Sequence, residues 1–247
     1  MPSWLITGAN RGIGYSTVEA LLQDDSNFVI ATSRNASAPS LVALSARYPK
    51  TLRVIELDIE SPTSIEKAVI ASTPLLPSGL DYLINNAAKN PQPSTKFEDL
   101  DLDVFGYEMQ LSTVIPLRVS RAFLPLVKKS EMKKIIFVSS VLASFETTFV
   151  MVNQMNAYSV GKASLNMLTR KWGASLKYDG VTTAAIHPGW TKTELSDCLT
   201  DWISTYAPQI PRLTTDEAAA CLIKTSEALA LEKTGLFWNF DGSNLAW

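Results

Sequence analysis

Short apolar runs alternate with segments of helical pattern along almost the whole chain, and this alternation constrains the fold more than any other feature. The runs with the length and composition of buried strands are 4–7, 28–32, 52–57, 82–84, 134–139, 181–186 and 235–240. Helical periodicity covers 13–23, 40–48, 62–72, 102–129, 158–178 and 215–229. The pattern predicts an α/β fold in which a seven-stranded parallel sheet is doubly wound by helices on both faces.

The chain shows no repeat, low-complexity tract or second domain boundary, so its 247 residues predict a single domain, 1–247. Three long irregular stretches, 87–101, 141–157 and 189–213, each follow a predicted strand. They are therefore expected at the carboxyl edge of the sheet, where doubly wound folds bind ligands. We predict that 189–213 forms a substrate lid there.

Charge and composition exclude several classes of partner. The net charge is -2 and no basic run occurs, which argues against nucleic acid or an anionic membrane surface. Cys198, Cys221 and His187 lack the spacing of a metal site, and a disulfide between the cysteines is an open alternative. The sequence shows neither a charged leader nor an apolar run near the roughly 18 residues needed for a membrane span. We expect a soluble cytoplasmic protein.

The octet TGANRGIG, residues 7–14, follows the first predicted strand and opens the first predicted helix. Such a turn directs backbone N–H groups and the positive helix end at one point, which suits a pyrophosphate. We expect Gly8 to permit the turn, Gly12 to let the ligand approach, and Gly14 to let the helix pack closely. An ordinary glycine-rich turn would look the same, so the motif needs support from elsewhere in the chain.

Four further motifs follow in order: Asp58 after the third strand, Asn85-Asn86-Ala87-Ala88 after the fourth, Tyr158-x-x-x-Lys162, and Pro188-Gly189 with Thr193. Together with the glycine turn they resemble the short-chain dehydrogenase/reductase family, which implies a Rossmann fold. The resemblance implies that Asp58 contacts adenine and that the turn ending at Thr193 holds nicotinamide. It assigns cofactor binding to Gly8, Asn10, Arg11, Gly12, Ile13, Gly14, Ser33, Arg34, Asp58, Ile59, Asn85, Ala87, Tyr158, Lys162, Pro188, Gly189, Thr191 and Thr193.

Tyr158 and Lys162 are 4 residues apart, so on a helix they project from the same face. A nearby ammonium group is expected to lower the phenol pKa, which is about 10 when unperturbed. Tyr158 would then serve as a general acid for a carbonyl oxygen that receives hydride. An exposed tyrosine–lysine pair without a catalytic role could have the same spacing on any amphipathic helix. The order of the motifs along the chain favours the catalytic interpretation.

The family also has a serine after the fifth strand that polarises the substrate carbonyl, and Ser140 matches it best, with Ser144 as the alternative. Ser140 precedes Tyr158 by 18 residues, which predicts an insertion within 141–155 at the rim of the substrate pocket. Many members carry an asparagine that holds a water beside the catalytic lysine, and Ser112 takes that position here. A hydroxyl has a shorter reach than an amide, so the proton relay is expected to be altered.

The second predicted strand ends at Ser33 and Arg34, where NAD-specific members carry an acidic residue. Without a carboxylate to repel a 2′-phosphate, Arg11 and Arg34 would flank that group from two loops. The sequence therefore predicts NADPH/NADP+ as the cofactor.

Within the family, residues 118–125, 187–193 and 237–242 resemble small carbonyl reductases of the sniffer and C-factor type and fungal norsolorinic-acid-type ketoreductases. The resemblance implies NADPH-dependent reduction of a ketone or aldehyde, a homodimer or homotetramer built on 102–129 and 158–178, and a structural role for His187. An apolar lid suits a hydrophobic or aromatic substrate, although the same side chains would suit a dimer contact: Trp190, Leu195, Leu199, Trp202, Ile203 and Tyr206. Alternatives are a dinucleotide-binding regulator without turnover and a dehydrogenase working in the oxidative direction.

Overall fold

The computed structural model describes residues 1–147 and 154–247. Within them a parallel sheet contains β1 (Ser3–Ile6), β2 (Phe28–Ser33), β3 (Leu52–Glu56), β4 (Tyr82–Asn85), β5 (Lys134–Val138), β6 (Thr182–Ile186) and β7 (Leu236–Trp238). The strand order is β3-β2-β1-β4-β5-β6-β7. The predicted doubly wound, seven-stranded parallel sheet is confirmed. The order reverses between β1 and β4, which is where such sheets bind ligands.

The helices lie in the crossovers between strands, as the periodicity predicted. They are α1 (Gly12–Leu21), α2 (Pro39–Arg47), α3 (Pro62–Ser72), α4 (Leu102–Met109), α5 (Ile115–Lys129), α6 (Asn156–Leu176), α7 (Thr200–Tyr206) and α8 (Thr215–Ala228). Helix α3 begins with a Ser61 cap and Pro62 in its first turn. Helix α7 was not predicted, because it is a short segment inside the lid. Across the described residues, no helix is both long and apolar enough to cross a membrane.

The single helix predicted over 102–129 is interrupted by a π-helical turn at Gln110–Val114. Pro116, in the first turn of α5, explains the interruption, because proline has no N–H to give the carbonyl 4 residues earlier. That carbonyl belongs to Ser112, so the irregular turn is centred on a predicted site residue.

Alternate residues of the strands enter two separate cores, one on each face of the sheet. Trp4 and Ile6 join the core under α1, α2 and α8, whereas Leu5 joins the core under α3, α5 and α6. Both faces are apolar because a parallel sheet is covered on both sides by crossover helices.

Phe123 on α5 is fully buried in the second core, whereas Phe145 is 80% exposed. We expect Phe123→Ala to lower the free energy of unfolding by about 3–5 kcal/mol, because it removes an aromatic side chain and leaves a cavity. Phe145→Ala, the matched control, should change it by less than about 0.5 kcal/mol. Urea unfolding measures both, and equal losses would contradict this assignment of the core.

Candidate active site

A cavity of about 910 Å³ lies at the carboxyl edge of the sheet, among the loops that follow β1 to β6. The predicted residues that line it are Gly8, Asn10, Arg11, Gly12, Ile13, Ser33, Arg34, Ile59, Ala87, Ser140, Tyr158, Lys162, Pro188, Gly189, Trp190, Thr191, Thr193, Leu195 and Leu199. The predicted residues that do not line it are Gly14, Asp58, Asn85, Ser112, Trp202 and Tyr206. The fold therefore gathers most of the predicted site, from the carboxyl ends of β1 to β6 and from α6, into one space.

The glycine turn is closed so tightly that two of its glycines have no room for a side chain. Gly8 has φ +67°, and a Cβ there would lie 3.0 Å from the Cα of Ala87. Gly14 stands outside the cavity lining because it packs against the turn itself, and its Cβ would lie 2.4 Å from the Gly8 carbonyl oxygen. Arg11 precedes α1 without a side-chain cap, which leaves the first N–H groups of the helix available to an anion.

Asn86 holds the glycine turn against the end of β4. Its Nδ2 donates to the Thr7 carbonyl at 2.9 Å, and Thr7 Oγ1 accepts from the backbone N–H groups of Asn86 and Ala87 at 2.9 and 3.1 Å. Asn85, the predicted contact, instead donates from its side chain to Ser120 Oγ and the Ile136 carbonyl inside the protein. Successive side chains of a strand point to opposite faces, so only one of these two asparagines reaches the turn.

The side chain of Asp58 is hydrogen-bonded within a local turn. Its Oδ1 accepts from the backbone N–H of Glu60 at 3.0 Å, and Ile59 and Glu60, rather than Asp58, line the cavity. Sequence reasoning missed Glu60 because its relevant partner, Lys89, comes from a different loop.

Tyr158 and Lys162 lie on one face of α6, and both side chains are buried in the cavity wall. Lys162 Nζ donates to the Val138 carbonyl at 2.7 Å and lies 5.4 Å from the centroid of the Tyr158 ring. Burial lowers the pKa of Lys162 to about 8, since desolvation penalises the ammonium form.

The pKa of Tyr158 is shifted in the direction opposite to our expectation. Burial raises it above the ordinary value of 10.0, and the neighbouring Cys198 raises it further. The phenol packs beneath lid residues such as Leu199 and Ile203, where a phenolate would lose its hydration. Because Lys162 is itself desolvated and bonded to a carbonyl, it does not reverse this effect. Tyr158 therefore keeps its proton, which is the form a proton donor requires.

Ser139 and Ser140, the two serines directly after β5, both line the cavity. Ser139 Oγ donates to Asn166 Oδ1 at 2.7 Å, whereas Ser140 Oγ accepts from the Leu142 N–H at 3.2 Å, and its own proton is still available to donate. Ser140 lines the cavity, and Ser144 is absent from the described part of its wall. Residues 148–153 of the predicted insertion lie outside the described residues.

Ser112 lies behind the catalytic helix, buried in the π-helical turn. A Cβ placed on Gly161 would lie 2.7 Å from Ser112 Oγ, so the two helices approach closely at the residue before Lys162. Ser112 therefore lies beside the residue that precedes Lys162, although Ser112 itself does not line the cavity.

The lid leaves the fold at Gly189 and returns at Leu213, and its two ends are hydrogen-bonded to each other. The Lys192 N–H donates to the Leu213 carbonyl at 2.9 Å, and the Leu213 N–H donates to the Trp190 carbonyl at 2.8 Å. Tyr206 is 71% exposed, so it does not cover the cavity. Ile203, which was predicted with the apolar lid residues, also lines the cavity, and further lining side chains include Ile210, Pro211 and Phe240.

Ser33, Arg11 and Arg34 all line the cavity at the end of β2. Arg11 forms an ion pair with Glu194, which brings the glycine turn and the lid together across the mouth of the cavity. Arg34 is exposed. The guanidinium groups of Arg11 and Arg34 thus both line the cavity where the end of β2 carries no carboxylate, although Arg11 is paired with Glu194.

His187, the only histidine of the sequence, is a half-buried residue of the cavity wall. Burial lowers its pKa from 6.5 to about 4. Between these values the unfolded chain binds a proton that the folded chain does not, so the free energy of unfolding should fall as pH falls. The loss is expected to reach about 3 kcal/mol below pH 4. His187→Asn should flatten this slope in urea titrations, and an unchanged slope would contradict the assignment.

A doubly wound sheet with a glycine turn after β1 and a Tyr-x-x-x-Lys pair at the same edge defines a dinucleotide-dependent oxidoreductase. The family model for short chain dehydrogenase matches residues 3–204. The chain belongs to the short-chain dehydrogenase family.

Solved structures of similar proteins cover the whole chain. An NADPH-bound carbonyl reductase from chicken fatty liver is 32% identical, with a TM-score of 0.89 over 100% of this chain and 99% of that one. The carbonyl reductase Sniffer of Drosophila melanogaster is 28% identical, with a TM-score of 0.87 over 100% of both chains. Among fungal relatives, the short-chain dehydrogenase/reductase AacuF of Aspergillus aculeatus is 35% identical over 76% of this chain and 74% of its own length.

Proposed function

We propose that this protein is an NADPH-dependent reductase of hydrophobic ketones or aldehydes. The observation that carries the proposal is the buried, neutral phenol of Tyr158, which shares one cavity with Ser140, Lys162, Arg11 of the glycine turn and Arg34 at the end of β2. The likeness to the chicken carbonyl reductase, whose structure contains NADPH, supports the same cofactor here.

The residues present fit a dinucleotide. The glycine turn has no room for side chains at Gly8 and Gly14, the first N–H groups of α1 have no side-chain cap, and a cavity of about 910 Å³ adjoins both. The uncapped helix end suits the pyrophosphate, and Arg11 and Arg34 suit a 2′-phosphate. When bound, the reduced cofactor supplies hydride to the carbonyl carbon.

The chain's own residues then complete the reduction. Ser140 donates a hydrogen bond to the carbonyl oxygen and orients it. Tyr158 donates its proton to that oxygen as negative charge develops there. The cation of Lys162, held by the Val138 carbonyl, stabilises the phenolate that is left behind.

The substrate side of the cavity is apolar. Its walls include Val141, Leu142, Met155, Trp190, Leu195, Leu199 and Ile203. A charged substrate would lose its hydration against these walls, so an uncharged, hydrophobic carbonyl is favoured.

A matched pair of substrates tests the proposal: an aryl methyl ketone and the same ketone bearing a ring carboxylate. We expect NADPH consumption with the uncharged ketone and a kcat/KM at least tenfold lower with the carboxylate, since burial of an unpaired charge costs more than about 1.4 kcal/mol. The lack of NADPH consumption with any ketone or aldehyde of a broad panel would refute the reductase function.

A homodimer or homotetramer built on 102–129 and 158–178 remains part of the proposal. Val114 is 46% exposed and Met167, on α6, is 60% exposed, which supports burial of these helices against a second copy.

A further inference from the structure

A closed network joins three polar side chains, two of which, Glu60 and Lys89, line the cavity. Lys89 Nζ donates to Glu60 Oε1 at 2.5 Å and to the Tyr107 hydroxyl oxygen at 2.9 Å. The Tyr107 hydroxyl donates to Glu60 Oε2 at 2.9 Å. Both carboxylate oxygens are therefore bonded, although the three residues come from the loop after β3, the loop after β4, and α4.

The network adjoins the end of β2, where the 2′-phosphate is expected. Glu60 and Lys89 line the same cavity as Ser33 and Arg34. The hydrogen bond from Lys89 is the largest influence holding the pKa of Glu60 below its ordinary value, and the charge of Arg34 contributes in the same direction. Glu60 is thus a carboxylate within electrostatic reach of the guanidinium that is expected to bind the phosphate.

A carboxylate in this position would repel a phosphate and would compete with it for Arg34. We propose that Lys89 neutralises Glu60 so that this wall accepts a 2′-phosphorylated nucleotide, which makes Lys89 a specificity-determining residue. This inference rests on the proposed use of NADPH. Lys89 acts through Glu60, so it is a positioning residue and not a direct phosphate ligand.

Nucleotide binding without catalysis tests the inference. The probes are 2′,5′-ADP and 5′-AMP, which differ only in the 2′-phosphate, and isothermal titration calorimetry measures both. The side chains of Lys89 and Glu60 are 39% and 28% exposed, so solvent screens the effect. We expect Lys89→Met to weaken 2′,5′-ADP binding by about fivefold at low salt and 5′-AMP binding by less than about twofold.

Two further variants separate charge from structure. Glu60→Gln/Lys89→Met removes both charges and should restore 2′,5′-ADP affinity to within about twofold of the wild type. Tyr107→Phe, the matched control, removes hydrogen bonds but no charge and should leave the ratio of the two affinities unchanged. A double variant as weak as Lys89→Met, or an equal loss for both nucleotides, would overturn the inference. The titrations contain no carbonyl substrate. The nucleotide affinities can therefore be interpreted even if the reductase proposal fails.

Discussion

Replacing Tyr158 with phenylalanine is expected to lower kcat for carbonyl reduction by about 10²–10⁴-fold, because it removes the hydroxyl that donates the proton and leaves the ring in place. The ring packs against lid residues and Leu142, and those contacts do not involve the hydroxyl. The fold and the binding of NADPH should therefore persist. Steady-state kinetics measure the loss, and quenching of tryptophan fluorescence by NADPH measures binding.

Ser144→Ala is a useful control for the Tyr158 variant, since Ser144 is absent from the described cavity wall. It should leave kcat within about threefold of the wild type. If Tyr158→Phe retained wild-type kcat, another group would have to supply the proton and the proposed mechanism would be wrong.

The double variant Arg11→Ala/Arg34→Ala is expected to raise KM for NADPH about 100-fold while KM for NADH changes by less than about threefold. Each charge-assisted hydrogen bond to a phosphate contributes about 1.5–3 kcal/mol, and NADH has no 2′-phosphate to receive it. Arg11 is also paired with Glu194, so it must exchange that partner for phosphate. Arg34→Ala alone should therefore account for the larger share of the effect.

Arg47→Ala is the matched control, because Arg47 is an exposed arginine paired with Glu19 outside the cavity lining. It should leave both KM values unchanged. An equal rise of KM for the two cofactors in the double variant would refute selection by the 2′-phosphate.

The architecture was predictable from the sequence because buried strands and amphipathic helices have distinct periodicities. All seven predicted strands occur, with ends that differ by only a few residues. The interruption of 102–129 was not predicted, although Pro116 was its visible cause. Hydrophobic periodicity shows which face of a helix is apolar. It does not show which backbone hydrogen bond a proline removes.

The site was predictable where a motif fixes a residue in the local backbone, as at Gly8 or Lys162. It was less predictable where two neighbours compete for one role, as with Asn85 and Asn86, or where partners meet only in the fold, as with Glu60 and Lys89. The pKa of Tyr158 depends on burial under the lid, and spacing along a helix carries no information about burial. These differences arise from tertiary contacts between separate loops.

Transfer of deuterium from the cofactor tests the central claim most directly. The protein is incubated with a hydrophobic aryl ketone and with NADPH carrying deuterium at both C4 positions, and the alcohol product is analysed by mass spectrometry. We predict an alcohol that has gained one deuterium at its carbinol carbon, formed at a rate that falls with Tyr158→Phe. NADPH binding without deuterium in any alcohol, across a broad panel of ketones and aldehydes, would contradict the account and would indicate a dinucleotide-binding protein without turnover.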